Sequence, residues 1–315
     1  MGYNPKPTLQ TSINLWHQNT GLWLTEGDEF KDWLGSRNGK PWLSGIPGAG
    51  KTVLAGLMIQ ECLAATQYVG SNKGCCFFFC DYKELESLEE VNILSCLASQ
   101  LARQSHDAFG IMAAYYKDLN PGNSLPRSPE AAVLIEKLVE MTQCFDQVLL
   151  VVDGLQSKVT EYLASPICKA PSTSVALLSR VEEHIRVLLD GTFHHIEIAA
   201  QSADVDMYVR AELKQRIQEQ KLRIRRPSLE GEIIEALIQG GQGMFLWVSC
   251  QMDYLCDFCK EALGKLPPTL NATYERILRN VVPASSHIMQ MTLRMVAAAG
   301  REISIPQLSD ALALR

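Results

Sequence analysis

Apolar and polar positions change their spacing twice along this chain, and the changes divide it into parts. Between residues 39 and 200, short unbroken apolar runs alternate with stretches of helical period. The runs are Pro41-Trp42-Leu43-Ser44, Cys75 to Cys80, Val148 to Val152 and Ser174 to Ser179, and Phe193 to Ala199, interrupted by His194, His195 and Glu197, is a fifth strand candidate. Runs this short and this continuous fit strands buried on both faces, as in a parallel sheet covered by helices. Between them, Thr52-Val53-Leu54, Leu57-Met58 and Leu63 trace one helical face and Leu88 to Leu101 another. Ser128-Pro129-Glu130 opens a third helix with proline in its first turn. Before residue 39, the segment Asp28 to Leu34 predicts a short amphipathic helix in a lead-in that carries Trp16, Trp23 and Trp33.

After residue 200 the alternation stops and only helical spacing remains. One helix is predicted over about 203–222. A second has Ile233, Ile234, Leu237 and Ile238 on one face and stops at Gly240-Gly241. A third carries the stripe Met244, Trp247, Val248, Met252, Leu255 and Cys259, which a bundle core explains without a cofactor. Residues 266–315 open with Leu266-Pro267-Pro268 and predict helices at 271–282 and 285–299, a strand at 302–305 and a helix from Pro306. That order is the front half of a winged helix.

The end of the first apolar run carries the most specific chemistry. Gly45-Ile46-Pro47-Gly48-Ala49-Gly50-Lys51-Thr52 fits G-x-x-x-x-G-K-[ST], with a strand before it and a helix after it. Glycines let the backbone wrap and turn its N–H groups inward, so that the loop and the following helix N-terminus cradle phosphate oxygens. All eight residues, Gly45 to Thr52, are therefore expected to bind nucleotide: ATP or ADP, with GTP not distinguished. Lys51 supplies the cation for the β- and γ-phosphates, and Thr52 a hydroxyl for Mg²⁺, which prefers oxygen ligands. Val148 to Val152 closes on Asp153 in the form of a Walker B strand, whose carboxylate would hold Mg²⁺ with Thr52, partly through water. Arg180 follows the fourth run. There it either reaches the γ-phosphate or pairs on the surface with Glu182 or Glu183.

Composition narrows the setting more than the chemistry. The chain has 315 residues, 47% hydrophobic and 20% charged, with a formal net charge of -6 and a pI near 5.6. That balance gives no general attraction to nucleic acid or anionic lipid. Basic residues cluster only at Lys214, Arg216, Lys221, Arg223, Arg225 and Arg226, interleaved with Glu212 and Glu219 as on a solvated helix face. Ten cysteines sit mostly inside apolar runs, which fits reduced thiols of the cytosol. The Cys256/Cys259 pair stands on a helical apolar face with no second pair at zinc spacing. The polar start of the chain is unlike a signal peptide, Lys6 breaks the myristoylation pattern, and no apolar run nears the roughly 20 residues of a membrane helix. A cytoplasmic protein without membrane or nucleic-acid partners is expected.

Several segments together resemble a known family: Asn19 to Leu24, Phe30 to Leu34, the Gly45–Thr52 octet, Cys80-Asp81-Tyr82-Lys83, Val148 to Asp153, Ser179-Arg180, Gly243 to Val248, and Leu266 to Leu278. They look like the NACHT-type P-loop NTPases of fungal NOD-like receptors, with a nephrocystin-3-like N-terminal module. The resemblance implies a signal-transduction ATPase that ADP keeps closed and that ATP opens and oligomerises, acting on an effector protein. In the family the Walker B aspartate leads into a pattern like Ala-Leu-Asp-Glu, whereas Asp153 leads into Gly154-Leu155-Gln156-Ser157. The acids that would orient or activate water are replaced. Gln156 remains to orient one, hydrolysis is expected to be weak or lost, and enzyme status stays open. The expected architecture is an α/β P-loop NTPase with a five-stranded parallel sheet: a lead-in (1–38), the core (39–200), a helical domain (201–265) and a partial winged-helix domain (266–315). An active NTPase or small-molecule kinase, and a degenerate non-signalling fragment, are the alternative readings.

Overall fold

The computed structural model describes residues 3–313, apart from 69, 82–83, 123–124, 156–159, 161–166, 168–169, 199–201, 225–226, 259–265, 283–284, 300–302 and 304. Contacts divide the chain into two compact units. One is Met1–Ile46, Lys51–Tyr82 and Glu86–Ile198; the other is Pro47–Gly50, Lys83–Leu85 and Ala199–Arg315.

The first unit is built on five parallel strands, as its apolar runs predict: β1 (Pro41–Ser44), β2 (Lys73–Phe79), β3 (Gln147–Asp153), β4 (Thr173–Ser179) and β5 (His194–Glu197). Their order is β2-β3-β4-β1-β5. All seven residues of β3 and all seven of β4 are buried, which is why both read as unbroken apolar runs. The helices of this unit are α1 (Lys6–Leu15), α2 (Leu22–Thr25), α3 (Asp28–Gly35), α4 (Lys51–Thr66), α5 (Glu90–Ala102), α6 (His106–Leu119), α7 (Ala131–Thr142) and α8 (Glu183–Leu189).

α4 follows the phosphate-loop motif and is apolar nearly all round, with Leu54 to Ile59 and Cys62 buried. A helix of that kind must be covered on both sides. The sheet covers one side and α1 the other. The two helices approach so closely that a Cβ on Gly56 would overlap the Ser12 hydroxyl. Ser12 is itself buried and donates to the Leu9 carbonyl at 2.8 Å, which satisfies its polar group inside the contact. The polar pattern of residues 1–15 does not announce α1, and α6 likewise has no counterpart in the sequence reading.

The second unit is helical. α9 (Ser202–Gln218), α10 (Pro227–Gly241) and α11 (Phe245–Phe258) share a core that includes Val205, Val209, Leu213, Leu237, Trp247 and Met252. Gly240 and Gly241 have no room for a Cβ, because Trp247 and Val248 lie on them. α12 (Leu270–Arg279) is fastened to α11 by polar contacts. Gln251, fully buried, donates to the Thr273 hydroxyl at 2.9 Å and accepts from Arg276 at 2.7 Å, and the Arg276 guanidinium lies 3.7 Å from the centroid of the Tyr254 ring. Trp247 donates to the Pro267 carbonyl at 3.0 Å, so the Gly243–Val248 and Leu266–Leu278 segments meet as packing anchors. Within this unit the Leu246 N–H also reaches the Gly48 carbonyl at 3.4 Å.

α13 (Ser286–Ala298) buries none of its residues, and α14 spans Ile305–Ala313. The strand expected at 302–305 is not formed where it is described: Ile303 is irregular and Ile305 already helical, while residues 302 and 304 lie outside the described residues. Two members of the basic cluster are ion-paired within this unit, Arg216 to Glu212 and Asp253, and Lys221 to Glu219 at 2.7 Å. Arg225 and Arg226 lie outside the described residues, as does Cys259 of the C-x-x-C. Cys62, Cys75, Cys76 and Cys96 carry free, buried thiols, and burial pushes the Cys62, Cys76 and Cys96 thiols up, away from the reactive thiolate. Among the described residues no cluster suited to a metal ion is found, and no helix is long and apolar enough to cross a membrane.

Candidate functional site

The site forms where the central strands of the sheet end. β1 lies between β4 and β5, with Ser44 opposite Ser179 on one side and Glu197 on the other. The loop that leaves β1 therefore starts from inside the sheet, beside the end of β4, and the Gly45 N–H is tied to the Ser179 carbonyl at 3.3 Å. In an open parallel sheet this carboxyl end of the strands is where ligands sit.

In the loop itself, Gly48 and Gly50 have φ of 80° and 87°, in the left-handed region that a side chain resists. Ala49 is buried and Ile46 is 45% exposed. The Lys51 ammonium arches back over the loop and donates to the carbonyls of Gly45 (2.8 Å) and Ile46 (2.9 Å). Burial lowers the Lys51 pKa, the Asp153 carboxylate opposes that shift, and the Arg180 guanidinium adds to it.

Thr52, in the first turn of α4, donates its hydroxyl to Asp153 Oδ2 at 2.7 Å. These two residues are 101 apart in sequence and come together because β3 ends beside β1's loop, separated from β1 only by β4. Asp153 is 6% exposed. Burial raises its carboxyl pKa, while the Thr52 hydroxyl, the Lys51 ammonium and the Gly154 N–H pull it down. Gly154 has a structural duty of its own. Its φ is 76°, and a Cβ there would overlap the Cys80 carbonyl, which the chain brings close by bonding the Cys80 N–H to the Asp153 carbonyl at 2.9 Å.

Arg180 follows β4 directly and is exposed. Of its two expected acidic partners, Glu182 is engaged by His184 at 3.0 Å. Gln156 and Ser157 lie outside the described residues; the described residue before them, Leu155, is buried and bonds its N–H to the Leu178 carbonyl at 3.2 Å.

A brace behind the loop was not legible in the sequence. Trp42 donates to the Ser179 hydroxyl at 2.9 Å, and that hydroxyl donates to the Arg180 carbonyl at 2.8 Å. On the other side of β1, the buried Ser44 hydroxyl lies 2.6 Å from His195 Nε2, whose ring stacks on Trp42 at 4.2 Å between centroids. The available signal was a tryptophan and a serine inside a four-residue strand that needed neither for a plain apolar core.

A loop with left-handed glycines, followed by a lysine and by a threonine bonded to the aspartate that ends β3, defines a P-loop NTPase-type module. The pattern of the family Nephrocystin 3, N-terminal, matches residues 19–188, more than half of the chain, and the chain belongs to that family. It is 24% identical over 310 residues, 91% of its length, to the vegetative incompatibility protein HET-E-1 of Podospora anserina, and the match covers 22% of that curated relative. Among solved structures it is similar to the Aeropyrum pernix ORC2 protein in ADPNP–ADP complexes, with 13% identity and a TM-score of 0.42 over 98% of this chain and 77% of that one. It is also similar to the Aeropyrum pernix ORC1 protein in complex with DNA, with 12% identity and a TM-score of 0.45 over 100% and 77%.

Proposed function

We propose that this chain is the nucleotide-binding switch module of a NACHT-type signalling protein, taking ATP or ADP with Mg²⁺ at Gly45–Thr52 and hydrolysing ATP slowly or not at all. The Thr52–Asp153 pair at 2.7 Å carries the reading, because it brings a hydroxyl and a carboxylate together at the mouth of the loop. Hard oxygen ligands of this kind suit Mg²⁺. A carboxylate held in a buried setting that disfavours its charge is also one that a divalent cation stabilises.

Thr52 and Asp153 would hold the ion, which when bound neutralises charge on the β- and γ-phosphates. Lys51 would exchange its bonds to the Gly45 and Ile46 carbonyls for phosphate oxygens, and the N–H groups of Gly48 to Thr52 would line the cradle. Arg180, which directly follows β4, would supply a second cation.

For hydrolysis a water must be aimed and its proton taken. Leu155 has its N–H committed and an apolar side chain, and the Gln156 amide can orient a water but cannot accept its proton as a base. Slow turnover favours a switch whose state is set by which nucleotide is bound. Signalling by nucleotide-dependent self-association and an effector protein, in the cytoplasm, belongs to the same proposal and is supported by the family and by the likeness to HET-E-1.

The test is calorimetric titration with ATP, ADP and GTP, with and without Mg²⁺, beside a steady-state phosphate-release assay. ATP is expected to bind in a Mg²⁺-dependent way with turnover below about one per second, the low end of ordinary enzyme rates. Absence of binding would sink the proposal, and faster turnover would make the module an active NTPase.

A further inference from the structure

β2 is an edge strand, and in a parallel sheet the N–H and C=O of alternate residues point to the same side. On β2 the outward residues are Cys75, Phe77 and Phe79. None of the three meets another strand there. The Cys75 N–H donates to Gln104 Oε1 at 2.9 Å, and its carbonyl accepts from Gln104 Nε2 at 2.6 Å. Phe77 repeats the arrangement with Gln100, at 3.1 Å and 2.8 Å. The Phe79 carbonyl accepts from the Tyr3 hydroxyl at 3.3 Å.

Each glutamine presents a primary amide that answers both groups of one residue, as the peptide of a neighbouring strand would. Spacing makes the match possible. Residues i and i+4 of a helix are about 6 Å apart along its axis, and residues i and i+2 of a strand about 6.6 Å. Gln100 and Gln104 of the α5 segment therefore step along β2 in time with Phe77 and Cys75.

We infer that Gln100, Gln104 and Tyr3 mask a strand-pairing surface, and that the β2 edge, once unmasked, takes the β2 edge of a second copy of this chain, antiparallel across a two-fold axis. The occupant follows from the strand. Cys75 to Phe79 is uncharged, free of proline and rich in aromatic residues, the composition that pairs with itself. Its one cation, Lys73, does not guard the edge, because its ammonium donates to the Leu34 carbonyl at 3.0 Å. A neutral edge meeting its own copy is self-complementary under a two-fold operator. Gln104 lies beyond the end of α5 and is exposed, so the mask opens from the Cys75 end without moving the helix core.

The experiment is sedimentation velocity on the full chain and on a Gln100→Leu, Gln104→Leu double variant at matched micromolar concentrations. Leucine keeps the bulk and removes both amides. The double variant is expected to self-associate about tenfold more tightly than the natural chain, as a species of twice the mass. Adding Phe77→Pro, which deletes an outward N–H without touching the β3 ladder, should restore the natural profile. A folded double variant that sediments like the natural chain overturns the inference, and so does association that Phe77→Pro leaves intact. If the double variant does not fold, hydrogen exchange of Gln104→Leu alone decides. The Cys75 amide should exchange about tenfold faster in dilute solution and regain protection on concentration; no dependence on concentration overturns the inference.

Discussion

The middle of this sheet and its β2 margin are made from the same kind of apolar run, yet they place their polar residues differently. In the middle, β3, β4 and β1 each pair with a strand on both sides, and polar residues gather at or just past the strand ends: Asp153, Arg180 and the Gly45–Thr52 loop. At the margins, backbone groups face outward and side chains must answer them. On β2 those side chains are Gln100, Gln104 and Tyr3. β5 is instead only four residues long and largely exposed, with His194 lying 3.6 Å from Glu29 and His195 engaged with Ser44. A polar residue at the end of a central strand is thus a candidate for chemistry, and one beside an edge is more often there to finish the sheet.

Substitutions can press on that distinction, and the largest effect should come at the end of β3. Gly154→Ala places a methyl against the Cys80 carbonyl at a left-handed φ, so it should cost about 3 kcal/mol of folding stability. Urea unfolding of the two proteins measures it; a loss under about 1 kcal/mol would mean that the strand ends are slack. Lys51→Ala should weaken nucleotide binding about 100-fold, close to 2.7 kcal/mol, and leave melting almost unchanged. Unaltered affinity by calorimetry would detach the loop from phosphate.

Asp153→Asn should separate stability from ion binding. The folded-state pKa of Asp153 lies above its unfolded value, so its buried charge costs stability once pH rises past the unfolded value, and that cost is absent in acid. The variant's advantage in melting temperature should therefore be nil at acidic pH and grow toward neutrality, while its Mg²⁺-dependent ATP affinity falls roughly tenfold. A variant that melts lower at neutral pH would show the carboxylate to be structural. The smallest effect is expected at the margin. His195→Ala gives up a ring stack on Trp42 and one hydrogen bond on an exposed strand, worth about 1 kcal/mol, and should not change ATP affinity by calorimetry.

What could be read from the sequence was whatever rests on local spacing. Strands β1 to β4 announce themselves because burial on both faces forces continuous apolar runs, and the loop because its glycines and lysine stand at fixed intervals. The proximity of Thr52 and Asp153 followed from parallel topology alone. Features that depend on a distant partner were not legible. Nothing in Lys6–Leu15 says that Ser12 will fit against Gly56, and nothing around Gln100 says that its amide will meet Phe77. Gly154 drew notice as a departure from the family pattern, when the Cys80 carbonyl gives it a steric reason that no spacing shows. At the other end, the expected strand at 302–305 gave way at Ile305, where helix α14 begins.

The fit of Ser12 against Gly56 also bears on what can be lifted out of this protein. The family pattern begins at residue 19, but α4, the helix that carries Lys51 and Thr52, has its back closed by residues that precede that boundary. A chain begun at Asn19 would emerge from synthesis with Gly56 and its apolar neighbours bare. It would be expected to collect on chaperones or in inclusion bodies while its nucleotide loop remained intact in sequence. Any transplant of this module into another protein has to carry α1 with it.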